Sequence, residues 1–363
     1  MNPDTKLHAA RRDRLRAVLR REGLSALLVS QSANRYYLSG FALHNPQENE
    51  SAGMLLVTTG GVDLLFTDSR YRDEALRLWP EAGLRIYRGN TPPSTIGESV
   101  SSLGAGVLGL EARGISLDFF DQCAASLSAL VEIRRTYGLI EELRCIKSPD
   151  ELERIGAACA LNHAMMAWLP SVALPGRSEA SVAWDIEKFF RERGAPETAF
   201  AVIVGRGPNA ALPHCVPGGD RLQQDDLVLV DAGCRLRDYC SDQTRTLWLG
   251  PNPSARFRDT LQAVQEAQRR AVALIRPGIP CCEVFQAAWD YFVQLGVSDA
   301  FTHGLGHGIG LETHEGPNLN HANALLLEPG MVVTVEPGLY DPAWGGVRWE
   351  HMVVVTEDGN RVL

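Results

Sequence analysis

DLVLVDAGCRLRDYCSDQTRTLWLG, residues 226–250, decides how this chain is read. Two strand-like runs flank a short polar turn, RLRD, at 235–238. With the turn centred between Leu236 and Arg237, Asp231 and Asp242 stand equally far from it. A regular antiparallel hairpin would then set them opposite each other, side chains on one face. Two opposed carboxylates repel, so the arrangement calls for a cation or a shared proton. The same two residues also read as a strand end, Asp231, and as an ion-pair partner of Arg245, Asp242.

The remaining candidates lie towards the C-terminus, since six of the nine histidines fall between His214 and His351. FTHGLGHGIGLETHEGP, 301–317, alternates Gly304, Gly306, Gly308 and Gly310 with larger residues, and His303, His307 and His314 stand among them. Glycine at every second strand position lets another backbone or a ligand come close. The spacing is not that of a dinucleotide-binding loop, and no helix pattern follows it. In MVVTVEPG, 331–338, Glu336 ends a β-branched run. In GGVRWEHMVVV, 345–355, Arg348 and Glu350 lie two apart in a strand pattern and so share a face. An internal Arg–Glu pair is the plain reading of that stretch taken alone. Carboxylates inside apolar runs are nonetheless costly unless they are compensated. Four carboxylates and one imidazole form a hard, oxygen-rich donor set, better suited to Mn²⁺, Co²⁺ or Fe²⁺ than to a structural zinc site. Two divalent ions would offset about four carboxylates.

Upstream, LRCIKSPDELERI, 143–155, marks a boundary: Ser148 caps a helix, Pro149 takes its first position and Glu151 completes a capping box. That helix is expected to run to Leu169, before Pro170. Two further helices are read in SEASVAWDIEKFFRERG, 178–194, and SARFRDTLQAVQEAQRRAVALIRPG, 254–278, with strand-rich segments between and after them. Helices and antiparallel strands in separate runs give an α+β domain over 149–363. Before it, Leu7, Ala10, Leu15, Val18 and Leu19 recur at helical spacing ahead of Gly23. SALLVSQ, 25–31, is strand-like and NRYYLSGF, 34–41, follows it. GMLLVTTGGVDLLFTD, 53–68, reads as a hairpin turning at Gly60-Gly61. The expected organisation is a small α/β domain over 1–135, a linker over 136–148 and the α+β domain.

Composition narrows the function classes. The 363 residues are 45% hydrophobic and 22% charged, with a net charge of −9, which disfavours nucleic acid and an anionic membrane surface as partners. No apolar run approaches the ~20 residues of a membrane span. The Arg-rich N-terminus is interrupted by Asp4, Asp13 and Glu22 and reads as a first helix, not a presequence. The eight cysteines include no C-x-x-C pair, and adjacent Cys281 and Cys282 are poorly placed to bridge, so a reducing cytoplasm is expected.

The motifs VLVDAG, YCSDQTRT, HGLGHGIGLETHE, TVEPG and VRWE, in this order, resemble those of the pita-bread metallopeptidases, in particular Xaa-Pro dipeptidases (prolidases) and short bacterial aminopeptidases P. NRYYLSGF, TDSRY and IKSPDELERI are similar to creatinase-like N-terminal domains. The resemblance implies that Asp231, Asp242, His307, Glu336 and Glu350 hold two divalent ions, most simply Mn²⁺, with Co²⁺, Fe²⁺ or Zn²⁺ as alternatives. Asp242 and Glu350 would bridge the ions, Asp231 would bind one, and His307 with Glu336 the other. It implies a bridging hydroxide as nucleophile and Glu336 as the group that handles its proton. His214, in ALPHCVP, and His314 would stabilise the scissile carbonyl. His303 would stand beside the proline-ring pocket, and Arg348 near substrate and ligands. A homodimer is also implied.

The expected function is hydrolysis of Xaa-Pro dipeptides. Its rivals are an aminopeptidase P acting on longer Xaa-Pro peptides and a non-catalytic module using the same fold for docking. An Xaa–Pro bond is a tertiary amide without an N–H, so a site that polarises the carbonyl and packs the ring suits it. The loop FALHNPQENESAG, 41–53, is a candidate lid, and Cys215 beside His214 is a further oddity.

Overall fold

Two units, Met1–Arg144 and Cys145–Leu363, make up the computed structural model of the chain, which describes residues 3–47, 50–89, 92–104 and 106–363. The first unit opens with α1 (Pro3–Arg21), whose Leu15 and Leu19 are fully buried and which stops before Gly23 at φ 68°. Then come β1 (Ala26–Val29), α2 (Ser32–Ser39), β2 (Met54–Thr58), β3 (Asp63–Asp68), α3 (Arg72–Leu78), β4 (Leu84–Tyr87), α4 (Pro92–Ser102), β5 (Val107–Glu111), α5 (Leu117–Ser126), β6 (Glu132–Thr136) and α6 (Glu141–Cys145). The strands form one mixed sheet in the order β4-β3-β2-β1-β5-β6. The hairpin read at 53–68 is its β2–β3 pair, while NRYYLSGF supplies most of α2, capped by Gly40 in the left-handed region at φ 73°. The stretch 136–148, read as a linker, carries α6, and the division between units falls inside it.

The second unit begins with α7 (Pro149–Trp168). Both halves of its capping box form: the Ser148 hydroxyl accepts from the Glu151 N–H, and the Glu151 carboxylate accepts from the Ser148 N–H. It continues with α8 (Glu179–Glu192), β7 (Glu197–Thr198), β8 (Ile203–Arg206), β9 (Leu227–Ala232), β10 (Cys234–Leu236), β11 (Tyr239–Cys240), β12 (Gln243–Trp248) and α9 (Ala255–Leu274). Next are α10 (Cys281–Gln294), β13 (Gly306–Gly308), β14 (Glu315–Leu319), β15 (Val332–Val335), β16 (Gly338–Asp341), β17 (Gly345–Arg348), β18 (His351–Val355) and β19 (Asn360–Val362). Every strand pairing in this unit is antiparallel.

Strand β9 is buried throughout because helices cover both of its faces. Val228, Val230 and Ala232 pack with Ile186 and Phe190 of α8, whereas Leu227 and Leu229 join the cluster containing Val264 of α9 and Phe292 of α10. Strand alternation puts Asp231 on the face of Leu227 and Leu229.

Two sequence readings need correction here. The segment after α9, read as strand-rich, begins with helix α10, whose buried Cys281, Val284, Phe285, Ala288 and Phe292 repeat every three to four residues. Aromatic and β-branched residues disguise that period, and tertiary burial overrides their weak helix preference. The hairpin of 226–250 also turns one residue later than expected. Leu236 pairs with Tyr239 around a two-residue loop, Arg237-Asp238, with φ of 52° and 74°. Two positive φ values are what a type I′ turn requires. Asp231 therefore faces Thr244, and Asp242 lies just ahead of β12, two residues off the expected partner.

Candidate active site

The alternate glycines of 304–310 explain how the site is assembled. A side chain at Gly306 would stand 2.0 Å from the Thr334 carbonyl oxygen, and one at Gly308 2.0 Å from that of Gly316. Only glycine lets β13 lie this close to its neighbours. The close approach sets His307 beside Glu336, which follows β15. Its Nε2 lies 3.4 Å from Glu336 Oε1 and 3.7 Å from Asp242 Oδ2. A carboxylate oxygen of Asp242, one of Glu350 and a ring nitrogen of His307 all fall within 4.8 Å of one another.

Asp231 enters from β9 and is met by Arg348 at the end of β17, Nη2 to Oδ2 at 2.7 Å. Arg348 also donates from Nη1 to Tyr340 Oη at 3.0 Å and from Nε to Thr244 Oγ1 at 2.9 Å. The Thr244 hydroxyl in turn donates a hydrogen bond to Glu350 Oε2 at 2.9 Å. His303 Nδ1 lies 2.7 Å from the Gly304 carbonyl, which can only accept, so that nitrogen carries the proton. Burial pushes the His303 pKa down to about 4 and keeps the ring neutral, so its Nε2 accepts from the Tyr340 hydroxyl at 2.8 Å. His214, His303, His307, His314, Asp231, Asp242, Glu336 and Arg348 all line one cavity of about 570 Å³. Phe200, Val202, Ile203, Pro213 and Val216 supply apolar wall. Glu350 does not line it and is 1% exposed.

Residues 153–357 match metallopeptidase family M24, and 11–146 match the creatinase/prolidase N-terminal domain. The chain belongs to metallopeptidase family M24. It is 30% identical over 347 residues to an Xaa-Pro dipeptidase of Pyrococcus horikoshii, covering 94% of this chain and 93% of that one. Among solved structures it is similar to an Xaa-Pro dipeptidase from Bacillus anthracis, at 33% identity and TM-score 0.90 over 98% of this chain and 97% of that one. It is also similar to an X-Pro aminopeptidase from Thermotoga maritima, at 29% identity and TM-score 0.83 over 94% and 95%. The chain is thus a hydrolase with a creatinase-type N-terminal domain and the M24 pita-bread catalytic domain.

An M24 peptidase works with divalent metal, and the donor set fits such ions. His307 Nδ1 faces the Gly308 carbonyl at 3.0 Å and so carries the proton, while burial lowers the ring's pKa. The Nε2 lone pair then points among carboxylate oxygens, an arrangement of acceptors only, which is repulsive without a cation. Burial, then the charges of neighbouring carboxylates, hold Asp242 and Glu350 well above the ordinary carboxylate range. Burial likewise pushes Glu336 up to about 7. Asp231 Oδ1 and Glu350 Oε1 are buried oxygens without a hydrogen-bond partner. Arg348 is the only lysine or arginine among the residues lining the cavity, and one cation does not balance four carboxylates.

Sequence reasoning does not single out Tyr340 or Thr244, although they join Arg348 to His303 and Glu350. Both are neutral and sit where a strand residue looks ordinary. Arg245 is not the partner of Asp242; it donates to the carbonyls of Thr244 and Glu350 and lies over the Trp349 ring. Cys215 is buried at the cavity wall, and burial raises its pKa, which suits an unreactive thiol.

Proposed function

We propose that this M24 enzyme hydrolyses the Xaa–Pro bond of dipeptides, with Asp231, Asp242, His307, Glu336 and Glu350 holding two divalent ions. Carrying this reading is the His307 Nε2 lone pair turned towards Glu336 Oε1 at 3.4 Å and Asp242 Oδ2 at 3.7 Å, with two more carboxylate oxygens left unpartnered nearby. The Xaa-Pro dipeptidases of Pyrococcus horikoshii and Bacillus anthracis, similar over nearly the whole chain, support the substrate class. When bound, the ions supply Lewis acidity towards the scissile carbonyl and neutralise the carboxylates. Oxygen-rich donors favour Mn²⁺ over structural-type zinc binding.

The chain's own groups have separate tasks. Glu336, whose Oε1 lies 3.4 Å from His307 Nε2, takes up the proton released as water attacks. His214 and His314 donate to the carbonyl oxygen as negative charge gathers on it. Neutral His303, fixed by Gly304 and Tyr340, forms the wall against the proline ring. Arg348 holds Asp231 in place and leaves Oδ1 of that carboxylate for the metal. The eight cysteines are free and all but Cys282 are buried, which suits a reducing cytoplasm.

A second reading is release of the first residue from longer Xaa-Pro peptides. One observation favours it: Arg348, alone among cavity-lining lysines and arginines, is already spent on Asp231, Tyr340 and Thr244, leaving no cation there for a dipeptide's carboxylate. Metal-stripped enzyme should be given Mn²⁺ and tested on an Xaa-Pro dipeptide and its tripeptide extension. Restored cleavage of the dipeptide alone supports the dipeptidase. Efficient tripeptide cleavage makes the enzyme an aminopeptidase P, and no cleavage of either, with other divalent metals also tried, removes the peptidase reading.

A further inference from the structure

Lys147 and Glu315 form a buried ion pair next to the turn that carries His314. Nζ lies 3.4 Å from Oε2, and the two side chains are 1% and 5% exposed. Burying two charges is expensive, and such pairs are weak contributors to stability, so their use is better sought in what they hold. Lys147 is fixed from its own side. It directly precedes the Ser148 cap of α7, and its N–H donates to the Gly330 carbonyl at 2.9 Å. Glu315 opens β14, immediately after His314.

The turn that carries His314 is wrapped around the Glu315 carboxylate. Glu315 Oε1 accepts the Glu312 N–H at 3.0 Å, and the Gly310 N–H donates to the Glu312 carbonyl at 3.0 Å. A side chain on Gly310 would meet the Glu315 carboxylate at 2.9–3.1 Å, so glycine at that position makes room for it. On the other flank of His314, the Thr313 hydroxyl donates to the Ala199 carbonyl at 3.0 Å. His314 itself is exposed to the cavity, and its ring stands edge-on to that of His307, with centroids 4.4 Å apart. The imidazole is thus free at its tip, while the side chains of both its neighbours, Thr313 and Glu315, are pinned.

We propose that the Lys147–Glu315 pair positions His314, holding its imidazole where the carbonyl oxygen of the substrate develops charge. Glu315 and Lys147 are positioning residues and touch no substrate. This rests on the role given to His314 in the proposed function. Misplacing a catalytic group by about 1 Å from a distance can cost on the order of 100-fold in rate.

Five variants test the assignment, each assayed on an Xaa-Pro dipeptide with metal content measured: Glu315→Gln, Lys147→Met, His314→Ala, and the Glu315→Gln/His314→Ala and Lys147→Met/Glu315→Gln doubles. Gln retains an acceptor for the Glu312 N–H and loses only the charge. Glu315→Gln is expected to lower kcat about 10- to 100-fold, with KM and bound metal nearly unchanged, and to add no further loss in the His314→Ala background. The Lys147→Met/Glu315→Gln pair, which removes both charges together, should recover part of what each single change loses. It also serves if a lone buried charge prevents folding. An equal loss of kcat from Glu315→Gln with and without His314 would overturn the positioning role. An unchanged kcat in His314→Ala would instead overturn the role of His314, and this proposal with it.

Discussion

Arg348 Nη2 stands 2.7 Å from Asp231 Oδ2, and that contact leaves the other oxygen of Asp231 buried and unpartnered. The guanidinium spends its remaining contacts on Tyr340 and, through Thr244, on Glu350. A single cation therefore orients the carboxylate of Asp231 on β9, that of Glu350 between β17 and β18, and a pocket histidine at once. Lysine has one point of charge and cannot reproduce this fork. Arg348→Ala should lose about 3–5 kcal/mol of stability in metal-free protein, where Arg348 is the main compensating charge, and Arg348→Lys, which keeps the charge but not the fork, a smaller part of it. The loss should be smaller with Mn²⁺ present. Urea unfolding with and without chelator reads the difference.

Asp242 and His314 separate metal binding from carbonyl stabilisation. Asp242 shares its surroundings with His307 and Glu350, so Asp242→Ala should remove metal and activity together, as read by metal analysis alongside turnover. His314→Ala should retain metal and lower kcat about 100- to 1,000-fold, the usual cost of one donor to a developing oxyanion. If Asp242→Ala still bound two ions and cleaved peptide, the ligand assignment would be wrong.

Chelation should lower the thermal midpoint as well as abolish turnover, because the ions bind the folded site and not the unfolded chain. At a metal concentration of about 100 times Kd the stabilisation is about 2.7 kcal/mol. Calorimetry with increasing Mn²⁺ should show a midpoint that rises with the logarithm of metal concentration. In Asp242→Ala the midpoint should no longer respond.

What the sequence discloses here is what is costly to bury. Asp231, Glu336 and Glu350 stand out because each interrupts or ends an apolar strand run, Asp242 because it lies across a short turn from Asp231, and His303, His307 and His314 because they crowd among alternate glycines. Helix starts are equally readable where a cap is present, as at Ser148. The register of the 226–250 hairpin is not, since the backbone can turn at Leu236-Arg237 or at Arg237-Asp238 and neither pair contains glycine. Tyr340 and Thr244 go unmarked because a neutral residue in a strand raises no question. The Lys147–Glu315 pair is hidden because its members stand 168 positions apart in the sequence.

Glu111 carries a prediction for the N-terminal unit. From the end of β5 its carboxylate accepts the backbone N–H groups of Ser30 and Gln31, at 2.6 and 2.8 Å, and the Asn34 amide at 2.7 Å, closing the start of α2. Burial outweighs these bonds and pushes its pKa from an ordinary 4.5 up to about 7, with Glu141 adding a smaller push. Between those two values the folded protein holds a proton that the unfolded chain has released. Stability therefore falls as pH rises through this window, by about 3 kcal/mol in all, and the loss is complete above pH 7. Glu111→Gln cannot ionise and should lack this slope. Denaturant unfolding of both proteins at pH 5 and pH 8 should show their stability difference shifting by about that amount in favour of the variant at the higher pH. A difference that stays flat would mean that the backbone N–H groups of Ser30 and Gln31 hold the carboxylate ionised at its ordinary pKa.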